Sequence, residues 1–206
     1  MIELRGVGRA YGERVVLRDV SVDVPNGSTL AVFGANGAGK STLLRILAGL
    51  LRPHAGTVSV GGRVGLLSHE PLLYRDLTAR ENLVFHARLH GVARERIDEL
   101  LERVELTDRA DEPMRTLSRG MNQRIAICRA VLHEPEVLLL DEPYANLDPG
   151  ATRLVAPLLG GGTRVLISHD VDAGLAEADM ALGLRGGRVA FAGAGVTADR
   201  VRELYA

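Results

Sequence analysis

The sequence predicts an α/β fold with a mostly parallel sheet, and three observations carry the prediction. First, Gly34-Ala35-Asn36-Gly37-Ala38-Gly39-Lys40-Ser41 lies between an apolar, β-prone segment at 28–33 and a leucine-rich segment at 41–51. The string has the form G-x-x-x-x-G-K-[ST], a phosphate-binding loop set between a buried strand and a helix N-terminus. Second, Val137-Leu138-Leu139-Leu140 runs into Asp141-Glu142. That is the pattern of a parallel strand buried on both faces whose C-terminal end meets a ligand crevice. Third, strand-like and helix-like segments alternate over most of the chain, while the stretch at 71–124 reads as helix alone.

Taken in order, 2–6 and 15–24 read as strands. The second alternates through Val20, Val22 and Val24 before a Pro25-Asn26-Gly27 turn. The loop strand at 28–33 and an amphipathic helix at 41–51 come next. The segment 56–67 carries two short strands broken by Gly61-Gly62, read as a short hairpin. Thr78-Ala79-Arg80-Glu81 is a capping box that starts a helix running to His90. Ile97, Leu100, Leu101 and Val104 recur at helical spacing over 94–104, and 118–133 is a third helix. Asp148-Pro149 is an N-cap and N1 pair opening another. A strand at 164–168 and a hairpin made of 181–184 and 188–191 close the chain. The expected organisation is a single domain over 1–206, with a core and β subdomain from 1–70 and 125–206 and a helical subdomain at 71–124.

Composition narrows the function classes. At 206 residues there is chain enough for a sizeable core. A net charge of −1 with interspersed signs leaves no electrostatic footprint for nucleic acid. A single cysteine excludes an intrachain disulfide and fits a reducing compartment; Cys128 is expected to pack within its helix. The N-terminus is charged from residue 3 and lacks a signal-peptide core, and no apolar run approaches the ~20 residues of a membrane span. The expectation is a chain soluble by itself.

Lys40 is the only lysine; the other 24 of the 25 basic residues are arginine. A compact ammonium on a flexible stem reaches between nucleotide phosphates where a planar guanidinium is too wide. Gly34, Gly37 and Gly39, with Asn36 and Ala38, let backbone N–H groups turn toward an anion, and the helix beginning at Ser41-Thr42 adds its dipole. The Ser41 hydroxyl and the Asp141 carboxylate are oxygen ligands suited to Mg²⁺. Glu142, one residue further, is placed to act as general base toward water.

A further string, Leu117-Ser118-Arg119-Gly120-Met121, opens the third helix. With it the chain resembles the ATP-binding cassette (ABC) ATPases, whose signature is usually Leu-Ser-Gly-Gly-Gln. The resemblance covers nearly the whole chain. It implies a P-loop NTPase core with a mostly parallel sheet, an N-terminal antiparallel β subdomain and a helical subdomain. It also implies ATP and Mg²⁺ as ligands and hydrolysis of ATP. Tyr11 matches the aromatic that stacks on adenine. Ala145-Asn146-Leu147-Asp148 matches the D-loop, with Asp148 as its acid, and His169 matches the switch histidine near the γ-phosphate. By the same resemblance two cassettes pair head to tail, and Ser118, Arg119, Gly120 and Met121 act on the partner's ATP. Polytopic membrane subunits are the implied partners, and the chain is expected in the cytoplasm, peripheral on the inner face of the membrane.

The chain departs from the family at Arg119 and Met121, and at His69, where members usually carry a Gln that senses Mg²⁺ and water. An imidazole can accept a hydrogen bond or ligate a metal; the alternative is that His69 packs in its loop. His69, Pro71, Leu77-Thr78, Glu81-Asn82-Leu83 and the Ser118-Arg119-Gly120-Met121 variant are similar to ATP-binding subunits of haem exporters of cytochrome c maturation. The expected function is therefore the ATPase subunit of a transporter of that type. The alternatives are a drug, lipid or peptide exporter, or a soluble ABC ATPase of iron–sulfur cluster assembly. His86 and His90, at i and i+4, are expected on a solvated helix face.

Overall fold

The computed structural model describes residues 1–205. Its fold is α/β, with a mostly parallel central sheet, an antiparallel N-terminal β subdomain and a helical subdomain. The antiparallel sheet has the order β2-β1-β4, from β1 (Ile2–Tyr11), β2 (Arg14–Val24) and β4 (Ala55–Val60). The central sheet has the order β5-β6-β7-β3-β8-β9, from β5 (Val64–Leu67), β6 (Val137–Asp141), β7 (Thr163–Ile167), β3 (Thr29–Phe33), β8 (Met180–Arg185) and β9 (Arg188–Gly193). Its strand pairs are parallel except β8–β9, an antiparallel hairpin closed by Gly186 and Gly187 at φ 56° and 78°. Positive φ at both central residues matches the twist of the flanking strands.

One expectation fails here. The segment 56–67 is not a hairpin: β4 pairs with β1, whereas β5 pairs with β6 in the other sheet. Gly61-Gly62 is therefore a crossing between sheets. Two boundaries also move. β1 runs on past Gly6, which at φ 60° makes an irregularity rather than an end. The helix α1 (Lys40–Leu47) stops short of Leu51 because Gly49 at φ 72° takes the left-handed cap conformation.

The helices fall where periodicity and caps place them: α2 (Ala79–His90), α3 (Glu95–Arg103), α4 (Arg119–Val131) and α5 (Pro149–Leu159). In α2 both bonds of the Thr78–Glu81 capping box form, and Asp148 caps α5 through the Ala151 N–H at 2.8 Å. Two short helices, α6 (Val171–Ala176) and α7 (Ala198–Arg202), have no counterpart in the sequence reading.

The sheet is buried on both faces, and alternation decides which core each residue joins. In β6, Val137 and Leu139 join the core shared with α1, β1 and β2, while Leu138 and Leu140 join the core of the helical side. In β3, Leu30 and Val32 face the α1 core, while Ala31 and Phe33 face α6 and α7. Cys128 is fully buried on α4, its thiol against the Leu100 carbonyl at 3.7 Å, and burial pushes its pKa up to about 12. No helix among the described residues is long and apolar enough to cross a membrane.

Candidate functional site

The site forms where β3 and β6 end beside the start of α1. Gly34, Gly37 and Gly39 take φ of 149°, 80° and 106°. A Cβ on Gly34 would lie 2.4 Å from the Leu184 carbonyl oxygen, and one on Gly39 would lie 2.6 Å from Leu17 Cδ2. The loop is thus clamped between β8 and β2, at positions only glycine fits. Gly39 offers no side-chain cap to α1, so the orphan N–H groups of the first turn remain for an anion. Ala38 differs from its neighbours: its side chain joins the core and its N–H donates to Ala35 O at 3.1 Å.

Lys40 is buried. Its ammonium donates to Gly34 O at 2.6 Å and Ala35 O at 3.2 Å, the carbonyls of its own loop. Burial pulls its pKa below the usual lysine range, against the opposing pull of Asp141 and Glu142. The alternation in β6 explains Asp141. As the next odd position after Val137 and Leu139 it faces α1, and Ser41 Oγ donates to its Oδ2 at 3.0 Å. Burial raises its pKa, and the Ser41 bond partly offsets this.

Glu142 then breaks the strand with φ 54°, a left-handed conformation costing about 1–2 kcal/mol outside glycine. It is held there by its N–H to Ile167 O at 3.0 Å and by Gln123, whose amide donates to Pro143 O at 2.9 Å. The turn brings Glu142 Oε1 to 2.7 Å from His169 Nε2.

Tyr11, Asn36, Gly37, Gly39, Lys40, Ser41, Thr42, Asp141, Glu142 and His169 line one cavity of about 410 Å³, together with Arg14 and Val16. Three nucleotide motifs far apart in sequence therefore converge, and the aromatic at Tyr11 stands at the rim, half exposed. The donor set fits Mg²⁺: a hydroxyl and a carboxylate already 3.0 Å apart at the phosphate-binding loop are hard oxygen ligands. His69 is exposed and outside the cavity lining. Among the described residues no group of three His, Cys, Asp or Glu side chains is arranged to hold a metal. Ser41 and Asp141 are the oxygen pair this geometry offers, with His69 near enough for its charge to act on Asp141.

The signature residues stand elsewhere. Ser118 caps α4 through the Met121 N–H at 3.2 Å, and none of residues 118–121 lines the nucleotide cavity. Gly120 lies against the D-loop, where a Cβ would meet Asn146 O at 2.9 Å. Arg119 lines a second cavity of about 800 Å³ with Pro71, Tyr74, His86 and Arg129. His86 is not on a solvated face. Half-buried in that groove, it has its pKa pushed down to about 4, first by burial and then by the Arg129 charge. His90 stacks on His133 with ring centres 4.1 Å apart. Arg14, Val16 and Gln123 are the site residues that sequence reasoning missed. Gln123 left one signal, a polar residue on a helix face otherwise apolar.

Comparison with known proteins agrees with this geometry. The profile of the family described as ABC transporter matches residues 17–145. The chain is 40% identical over 199 residues to the daunorubicin resistance ATP-binding protein DrrA3 of Streptomyces coeruleorubidus, a match covering 87% of this chain and 62% of that protein. It is 42% identical over 199 residues to the aliphatic sulfonates import ATP-binding protein SsuB of Mycobacterium avium, covering 91% and 78%. The chain spans only about half to three fifths of the length of DrrA3 and two further curated relatives, and 78% of SsuB. It superposes with a TM-score of 0.83 on the dimeric post-hydrolysis structure of the ATP-binding cassette MJ0796 bound to ADP and Pi, at 27% identity, covering 96% of this chain and all of that one. The loop, the strand-end acids and these likenesses agree: the chain belongs to the ABC transporter family.

Proposed function

We propose that this chain is the ATP-hydrolysing subunit of a membrane transporter and that 1–206 form one cassette. The observation that carries this is the single cavity in which Lys40 and Ser41 meet Asp141, Glu142 and His169. ATP is held by the loop N–H groups and by Lys40, whose ammonium exchanges its two carbonyl partners for phosphate oxygens. Tyr11 stacks on the base. Ser41 and Asp141 would hold Mg²⁺, which neutralises phosphate charge when bound. Glu142 takes a proton from the attacking water as the oxygen bonds to the γ-phosphorus and the bond to the β-phosphate oxygen breaks. His169, 2.7 Å from Glu142, fixes that carboxylate and stands near the γ-phosphate.

That Ser118 does not line the cavity of its own chain supports a head-to-tail pair. In such a pair Ser118, Arg119, Gly120 and Met121 of one copy meet the ATP of the other, beside Asp148. Polytopic membrane subunits are the proposed partners, with the chain peripheral on the cytoplasmic face. For cargo we put forward haem export for cytochrome c biogenesis, on the strength of His69, Pro71 and the signature variant. Relatives named for drug resistance and sulfonate import make other cargoes the competing reading.

The test is ATP turnover by the purified chain and by Glu142→Gln. The variant should bind ATP normally, lose about 10²–10⁴-fold of hydrolysis, and elute as a dimer when ATP is present. Parental turnover in the variant removes Glu142 from its role. A deletion strain with normal c-type cytochromes eliminates the haem cargo and leaves the transporter standing.

A further inference from the structure

The nucleotide cavity contains a second cation that no motif accounts for. Arg14 begins β2 directly across from Tyr11, the last residue of β1, so the tip of this hairpin presents a ring and a guanidinium as a cross-strand pair. The Tyr11 ring is already partnered by Arg9, whose guanidinium sits 5.1 Å from its centre. Arg14 turns the other way, toward the loop. Its Nη2 lies 3.4 Å from where a Cβ on Gly37 would stand, and it lines the cavity with Lys40 and Ser41. Ten of the 24 arginines pair with carboxylates, Arg5, Arg80, Arg96 and Arg202 among them. Among the described residues, Arg14 forms no ion pair and no side-chain hydrogen bond. The carboxylates lining the cavity are already engaged: Asp141 accepts from Ser41, and Glu142 is paired with His169.

An unpaired guanidinium resting against a phosphate-binding loop has one chemical complement, an anionic oxygen, and it meets phosphate oxygens as a fork of donors. We propose that Arg14 is a second phosphate-binding residue, gripping the polyphosphate from the hairpin side while Lys40 holds it from beneath the loop. This rests on the nucleotide reading above and adds a residue to it. It also gives the hairpin two distinct tasks, with Tyr11 on the base and Arg14 on the phosphates.

The two readings separate in one experiment. The full chain, Arg14→Gln and Arg14→Lys are titrated with a fluorescent ATP analogue, ADP and adenosine at fixed Mg²⁺ and at two salt concentrations. Arg14→Gln should weaken ATP about tenfold, weaken ADP, leave adenosine unchanged and flatten the salt dependence. Arg14→Lys should recover part of the loss. Equal ATP affinity in the parent and Arg14→Gln overturns the proposal. So does an equal loss for adenosine, which makes Arg14 a support for the hairpin. A parent chain that binds no ATP sinks the nucleotide reading instead. Thermal melts without nucleotide check that both variants fold.

Discussion

Replacing Lys40 with arginine keeps the charge and changes the shape, and the packing around the ammonium sets the penalty. That ammonium sits buried, 2.6 Å and 3.2 Å from the carbonyls of Gly34 and Ala35. A guanidinium carries more heavy atoms in a fixed plane, and the loop around it is clamped by the Leu184 carbonyl and Leu17. Overpacking of this kind costs about 1–3 kcal/mol. A hydrogen bond between charged groups is worth about 1.5–3 kcal/mol, so a displaced cation should weaken ATP by roughly 10- to 150-fold. Fluorescent-nucleotide titration reads the affinity, and a thermal melt reads the strain as a loss of several degrees. Lys40→Met is the contrasting variant, of similar shape and without charge. Burial holds the Lys40 pKa below its usual value, so the unfolded chain keeps its proton to higher pH than the folded one. The resulting cost is therefore fully present below the folded pKa and fades as pH rises through it toward the ordinary one. The Met variant sheds that cost, so it should lose ATP binding without the Arg variant's loss of stability. Near-parental affinity in Lys40→Arg would refute the argument from shape.

Asp141→Asn should raise the melting temperature of the nucleotide-free chain and abolish Mg²⁺-dependent ATP binding. The raised Asp141 pKa means that stability falls as pH climbs from the ordinary carboxylate range through the folded value, above which the charge is a full burden; an unchanged or lower melting temperature contradicts this. In mixed dimers, a Ser118→Ala subunit should disable the site whose phosphate-binding loop belongs to the other subunit, and loss confined to its own loop rules out head-to-tail pairing. His69→Gln should keep ATP turnover within about tenfold, ~1.4 kcal/mol of barrier, with His69→Ala slower; equal rates in parent and both variants assign His69 to the loop alone.

What was legible in the sequence was local. The phosphate-binding loop, the Asp141-Glu142 pair and the Thr78–Glu81 capping box each occupy a few adjacent residues, and each can be recognised without knowing what packs against it. The partition of β4 and β5 between two sheets was not legible. Which strand a short apolar segment joins depends on partners as distant as β1 and β6, and alternation alone is silent on that. The helices α6 and α7, with six and five residues, are too short to show a period. Helical spacing gives the face His86 occupies but not the loop at 70–75, which lines one cavity with it. Arg14 was hidden by abundance, one arginine among 24 with no motif around it.

The burial of Cys128 has a practical use. Its thiol is out of contact with solvent, and at about 12 its pKa leaves almost no thiolate at neutral pH, the form that reacts with maleimides and disulfides. The native chain is therefore a silent background for thiol chemistry. A cysteine introduced at exposed Thr116, or at exposed Glu13 across the proposed pair, can be labelled or cross-linked without first removing the natural one. The approach of two cassettes during an ATP cycle becomes measurable as a distance between two chosen points, on a protein otherwise left as it is.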